Sequence, residues 1–323
     1  MNRICNYFNN NFENNLNSGM WAYVIIPQYC DKYLECFKNN DYINCKDILE
    51  HINNTTLTYG YDICLLDGVG SAEIIFKTLK FILPELQNEN IEEILILLDK
   101  KLGFYVDFPD IFDYSCNASI TSSRGKISFR MVFALFYIYT IKETLKENKK
   151  LNILEIGAGT GRTAYYAYKA GFKKYTIVDT LSTGVVQAHY NFNVLGEENV
   201  LLYGEEPKNQ FLTLIPSHHF NQIKETYDII VNFDGLTEYG IKTAQDYLNY
   251  SKKISNLFLS INHTSNEFNI KDLNCNLISS ELCDYILKKC FITNHLQVIF
   301  IMKFGIKIHI IYQAIIFYTI TVL

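Results

Sequence analysis

The stretch ILEIGAGTGRTAYYAYKAGFKKYTIVDT, from Ile153 to Thr180, constrains the fold more than any other part of the chain. An apolar run ends in three alternating glycines. A helix-forming stretch follows, then a second apolar run that ends in an aspartate. The same rhythm continues to residue 262. LNILEI (151–156), YTIVD (175–179), NVLLY (199–203), YDIIVNF (227–233) and NLFLSIN (256–262) have the length and composition of buried strands. Arg162 to Ala170, closed by Gly171, and Val185 to Leu195, closed by Gly196, read as helices between them. Strands alternating with helices at this spacing predict a doubly wound, mostly parallel α/β sheet of the Rossmann-like kind, with helices on both faces. Ligands of such sheets sit outside the C-terminal strand ends, where the strand order reverses. Apart from one histidine pair, the conspicuous polar residues of this half fall at those ends.

Gly157, Gly159 and Gly161 follow the first strand directly. Glycine there lets the chain turn sharply and lets ligand atoms approach the backbone. The loop feeds a helix whose free amides and positive dipole end attract a carboxylate or phosphate. Asp179 ends the adjacent strand, which places it beside the loop, where a carboxylate can accept hydrogen bonds from both hydroxyls of a ribose. The expected ligand is therefore a nucleoside with an anionic or zwitterionic extension.

Two ligand classes fit that description. Dinucleotide sites use G-x-G-x-x-G, in which the last glycine permits close helix packing. Here Arg162 holds that place and the spacing is G-x-G-x-G, with Glu155 two residues before the first glycine. E-x-G-x-G-x-G after a strand, with an acid ending the next strand, resembles the class I S-adenosylmethionine-dependent methyltransferases, over about Leu151 to Asn262. The resemblance implies a seven-stranded sheet of the methyltransferase type and S-adenosyl-L-methionine as cofactor, held by Glu155, Gly157, Gly159, Gly161 and Asp179. A narrower set of residues is IVDT (177–180), QAHYNFNVLG (187–196) and IIVNFDGLTEY (229–239). It is similar to the sugar O-methyltransferase family, whose members carry a mainly helical N-terminal part and, after the fourth strand, a stretch with Asn, Ser and Glu-Met. Asn232 and Glu238 match that stretch. Asp234-Gly235 stand where a serine-containing pair belongs, and Tyr239 stands in for Met. The acceptor so implied is a hydroxyl of a sugar or glycan precursor.

An alcohol is a weak nucleophile and benefits from a general base within hydrogen-bond reach. Asp234, Glu238 and His263, at the ends of the fourth and fifth strands, are the candidates for base or acceptor contact. The unperturbed range of His263 suits proton uptake near neutrality. Asp234 and Glu238, four apart, face the same way if the loop continues into a helix; two such carboxylates can also hold a divalent metal. No metal site is predicted. Against these readings stand a solvated loop histidine, a loop acid and an acid at a helix start. His218-His219 lack a carboxylate at ligand spacing and read as surface histidines. Glu205-Glu206 read as solvated, although the superfamily's geometry puts their neighbourhood near the adenine edge. Arg124 reads as a surface arginine that can reach an anion from the domain boundary. Trp21, the one tryptophan, is core or interface by default and a sugar platform otherwise.

The remainder sets bounds. Residues 1–119 read as a mainly helical region shaping the acceptor side, and residues 120–323 as the cofactor domain. The Asn-rich start through Asn17 reads as frayed. Helices are expected over Met20 to Phe37, Cys45 to Ile52, Ala72 to Leu86, Ile91 to Leu102 and Phe129 to Asn148, and CNASITSSRGK (116–126) reads as a loop. A net charge of −5 and lysines scattered in pairs lower nucleic acid as a partner. Nine cysteines with no C-x-x-C pair, and no secretory signal, fit reduced thiols in the cytoplasm. The tail VIFIMKFGIKIHIIYQAIIFYTITVL (298–323) is broken by Lys303, Lys307 and His309. It reads as closing strands rather than a membrane helix. Other classes that fit the pattern are a methyltransferase for another acceptor (a protein side chain or a small metabolite), a nicotinamide-dependent reductase and a non-catalytic module.

Overall fold

The computed structural model describes residues 1–12, 21–58, 68–87, 90–112, 119–145, 150–263, 291–292 and 295–303. In chain order these form α1 (Asn2–Asn10), a π-helical segment (Trp21–Cys30), α2 (Asp31–Lys38), α3 (Tyr42–Glu50), α4 (Gly68–Ile82), α5 (Ile91–Leu102), β1 (Ser119–Ser122), β2 (Gly125–Ser128) and α6 (Phe129–Leu145). The strand–helix half follows: β3 (Asn152–Ile156), α7 (Arg162–Lys169), β4 (Lys174–Asp179), α8 (Leu181–Leu195), β5 (Val200–Leu202), β6 (Leu212–Pro216), β7 (Ile229–Phe233), α9 (Ile241–Ile254), β8 (Leu257–His263), β9 (Phe291–Ile292) and β10 (His295–Lys303).

The large sheet has the order β5-β6-β4-β3-β7-β8-β10-β9. The first six strands run parallel; β10 pairs antiparallel with β8, and β9 pairs antiparallel with β10. The chain leaves β3 for β4 on one side and returns to β7 on the other, so the reversal of strand order lies at the C-terminal end of β3. This is the Rossmann-like α/β architecture that the alternation predicts.

The side-chain period of two along β3 explains why both faces must be covered. Ile153 faces one apolar cluster and Leu154 and Ile156 the other. The larger cluster gathers Tyr175, Ile177, Leu212 and Val231 with α7, α8, α6 and the N-terminal helices. The smaller gathers Val178, Ile230 and Phe258 with Ala244 and Leu248 of α9. Glu155 shares the face of Ile153, and only 1% of it is exposed.

Several expectations are corrected. The Asn-rich start is not frayed up to Asn11: Ile4, Cys5, Tyr7 and Phe8 form the buried face of α1. Arg3 anchors that helix to Glu205 (2.7 and 2.8 Å) and to the Val200 carbonyl (2.7 Å). An apolar set at i, i+1, i+3 and i+4 makes a helical face whatever lies between, and the asparagines occupy the other side. Residues 119–126, expected as loop, belong to the β1–β2 hairpin (119–128), with Ser122 and Gly125 paired across the turn. β6 was not anticipated. It lies between β5 and β4, and residues 203–211 join the parallel pair β5–β6 without a helix. α8 starts at Leu181, four residues before the expected Val185, because the Thr180 side chain caps it.

β10 pairs with β8 from Gln297↔His263 to Lys303↔Leu257, so the first part of the tail closes the sheet as a strand; residues 304–323 lie outside the described residues. Among the described residues no helix is long and apolar enough to cross a membrane.

Candidate functional site

The loop after β3 holds φ values of +74° at Gly157, +54° at Gly159 and +82° at Gly161. These left-handed conformations strain any residue with a Cβ. At Gly161 the space is also taken: a Cβ would lie 2.6 Å from Asn191 Nδ2 of α8. The close approach of loop to helix is made at Gly161, which frees the next position for Arg162. That residue is buried, with Nη1 donating to Thr160 Oγ1 (2.7 Å) and its guanidinium 5.6 Å from the Tyr190 ring centroid.

Asp179, at the end of β4, meets this loop as expected. Its Oδ2 accepts from the Ala158 amide (2.9 Å) and from Gln187 Nε2 (2.8 Å), and Oδ1 accepts from the Thr180 amide (2.7 Å). Gln187 also donates to the Gly159 carbonyl (2.8 Å), so one α8 side chain ties acid and loop together. Burial pushes the Asp179 carboxyl up to about 7, against the opposing pull of these donors. Glu155 lies behind the loop and accepts from the Tyr175 hydroxyl (2.9 Å); burial pushes its carboxyl up to about 8. A carboxylate taken from water without a cation beside it favours its neutral form.

Both acids line a cleft of about 810 Å³, open mouth included, over the C-terminal ends of β3, β4 and β7. One wall is Gly157 to Thr160 with Thr180 and Thr183. The end of β7 and the turn after it (Phe233, Asp234, Gly235, Glu238, Tyr239) line it beside the glycine loop, and α6 (Arg130, Phe133, Tyr137) and Trp21 complete the lining. The Tyr137 and Phe233 rings stack at 4.0 Å and 5°. Asn232, fully buried, organises the turn: Nδ2 donates to the Ile156 carbonyl (2.8 Å), and Oδ1 accepts from the Leu236 amide (3.0 Å) and from Asn262 Nδ2 (3.0 Å).

The structure therefore brings Glu155, Gly157, Gly159, Asp179, Asp234 and Glu238 into one cleft, with Gly161 supporting it from behind. Asp234 sits at φ +62°, its Oδ2 3.8 Å from Arg130 Nη1. Glu238 lies in a 3₁₀ turn, Leu236–Glu238, not at the start of α9, and accepts from Trp21 Nε1 (2.8 Å). His263 ends β8 at the same sheet edge; its side chain lies outside the described residues. Among the described residues no cluster of His, Cys, Asp or Glu is arranged to hold a metal ion.

Other readings change. His218 and His219 are half-buried in the turn Ser217–Gln222; His219 stacks on Tyr203 at 4.2 Å and meets Asn11 Oδ1 at 3.2 Å. Glu205 is paired with Arg3 rather than solvated. Arg124 is spent on Asp99 (2.7 and 2.8 Å) and the Val106 carbonyl. Arg130, Tyr137 and Gln187 were missed. Gln187 stands in the resembling QAHYNFNVLG stretch, and Arg130 is the one charge in the apolar first part of α6, residues 129–141, the one signal that marked it.

No family model and no curated protein sequence matches the chain. Among solved structures, magnesium protoporphyrin IX methyltransferase from Synechocystis PCC 6803 with bound SAM matches at 12% identity. That match covers 75% of this chain and 99% of the other, with a TM-score of 0.38. The same enzyme with bound SAH matches at 17% identity over 38% of this chain and 51% of the other, TM-score 0.30. TrmK from M. capricolum in complex with SAH matches at 13% identity over 48% and 63%, TM-score 0.31. In the second of these the matched region spans about half the other chain's length. Similarity at this level carries no weight for what this chain binds or does.

Proposed function

We propose that the cleft binds S-adenosylmethionine and that the protein is a methyltransferase acting on an oxygen, with a sugar or glycan precursor as acceptor. The observation that carries the reading is the convergence, at the reversal of strand order, of a positive-φ glycine loop, the Asp179 carboxylate and two further carboxylates, Asp234 and Glu238. In this reading residues 120–323 hold the cofactor and residues 1–119 shape the acceptor side. The donor set suits an adenosyl group with an amino-acid extension. The Asp179 carboxylate is on the cleft wall for a ribose, the loop lets ligand atoms come close to backbone, and Phe233 and Tyr137 offer an apolar flank.

When bound, the cofactor supplies an already activated methyl group, so the protein's task is alignment. α6 and the turn after β7 would orient the acceptor hydroxyl, and Asp234 or Glu238 would take its proton as that oxygen becomes methylated. His263 is the third candidate for that proton. The resemblance at Asn232 and Glu238 supports the sugar acceptor, and the Trp21 indole, hydrogen-bonded to Glu238, suits a polyhydroxylated ring. Transfer of labelled methyl from S-adenosylmethionine to sugars and nucleotide sugars tests the reading. Labelled sugar that disappears with Glu238→Gln or Asp234→Asn supports it, and label found only on protein or a non-sugar metabolite replaces the acceptor.

A further inference from the structure

The chain has four arginines, Arg3, Arg124, Arg130 and Arg162. Three of them donate hydrogen bonds to protein groups. Arg3 donates to Glu205, Glu197 and the Val200 carbonyl, Arg124 to Asp99 and the Val106 carbonyl, and Arg162 to Thr160. Arg130 differs. Its Nε is buried with no hydrogen-bond partner among the described residues, as is that of Arg162, but where Arg162 donates through Nη1, Arg130 makes no hydrogen bond to a described residue. Its Nη1 comes no nearer to Asp234 than 3.8 Å, beyond hydrogen-bond range, and its guanidinium otherwise rests on the Phe129 ring at 5.0 Å. Its side chain is 31% exposed and lines the cleft that also holds Asp179.

A guanidinium offers five N–H donors in a planar fork and loses stability where buried donors go unmet. The fork matches a carboxylate or a phosphate through two parallel hydrogen bonds. Asp234 is too distant for that role, yet near enough to attract the guanidinium. We infer that Arg130 is an oxyanion-binding site of the cleft, completed by a carboxylate or phosphate group of a bound ligand. Two sources carry this chemistry: the amino-acid carboxylate of the cofactor, and an acidic group on the acceptor such as a uronic acid or a sugar phosphate. Naming these sources rests on the proposed function; the oxyanion site itself does not.

The test uses the full chain and reads the Arg130 Nε–H resonance, assigned by its loss in Arg130→Lys. Titrated inorganic phosphate is expected to shift that resonance to saturation while the other three arginine Nε–H signals stay still. No shift, or an equal shift of all four, overturns the site. Binding to wild type and Arg130→Gln, followed by the emission of Trp21 in the same cleft, then assigns the source. Loss of about tenfold for S-adenosylhomocysteine but not for 5′-methylthioadenosine, which lacks the carboxylate, points to the cofactor. The same loss for D-glucuronate or glucose 6-phosphate but not for D-glucose points to the acceptor. A wild type that binds every charged and uncharged probe pair alike contradicts the inference. Failure of S-adenosylhomocysteine alone to bind, with the phosphate shift intact, removes the cofactor reading and leaves the oxyanion site standing.

Discussion

At the residue scale, Asp179 has two tasks. Its oxygens already bind the Ala158 and Thr180 amides and Gln187, so the carboxylate builds the loop it is proposed to share with a ligand. Asp179→Ala is expected to lower the melting temperature and to weaken S-adenosylhomocysteine binding by roughly 1.5–3 kcal/mol, the worth of one charged hydrogen-bonding group; calorimetry showing unchanged affinity removes Asp179 as the ribose ligand. The raised carboxyls also set a pH dependence. Glu155 and Asp179 rise from ordinary values of 4.5 and 3.8 to about 8 and about 7, so folding favours their protonated forms. The stabilisation is complete below the ordinary values and is lost as pH climbs through 7 and 8. The ligand-free protein should therefore melt at progressively lower temperature between pH 5 and pH 8, by a few degrees for each kcal/mol or so lost. Glu155→Gln should flatten the upper part of that slope, and parallel slopes in the two proteins would show that Glu155 does not titrate there. Asp179 and Glu155 were legible in the sequence because their places are fixed by strand ends. Arg130 was not, and Trp21 only as a lone tryptophan, because what makes them notable is a partner more than a hundred residues away, Asp234 and Glu238 respectively.

At the scale of elements, the glycine loop and the strand–helix units could be read directly, since apolar runs of strand length and helix-ending glycines are local signals. β6 could not. FLTLIP follows a polar, proline-containing stretch, and its parallel pairing with β5 without an intervening helix breaks the rhythm that identified the others. α1 was hidden for the reverse reason: its composition is polar, and its stability comes from packing against α2, α8 and β5. The glycines of the loop make distinct predictions. Gly161→Ala puts a Cβ 2.6 Å from Asn191 Nδ2 at φ +82° and should cost about 1–3 kcal/mol in denaturant unfolding. Gly157→Ala meets the Tyr239 hydroxyl, 1.7 Å from the added Cβ. Tyr239→Phe should recover part of that loss, while the strain of φ +74° keeps the rest. Equal stability of Gly157→Ala with and without Tyr239→Phe would show that the ring moves aside freely.

At the scale of the molecule, one apolar cluster runs from Ile4 on α1 to Ile261 on β8, so the N-terminal helices and the sheet share a core. The cleft depends on that union, because one wall comes from the sheet loops and the other from Trp21 and α6. Arg3→Ala, which frees α1 from Glu205 and Val200, is expected to lower the melting temperature by a few degrees, about 1 kcal/mol for a half-exposed ion pair. A loss of cofactor affinity without a loss of stability would instead place Arg3 in binding. The central claim is that the glycine loop and Asp179 receive an adenosyl group carrying an amino-acid extension. Calorimetric titration of the full chain with S-adenosylhomocysteine, and separately with NAD, tests it most directly. The account predicts a single site of about micromolar affinity for S-adenosylhomocysteine, weakened by Asp179→Ala, and no heat from NAD; saturable binding of NAD with none of S-adenosylhomocysteine would contradict it.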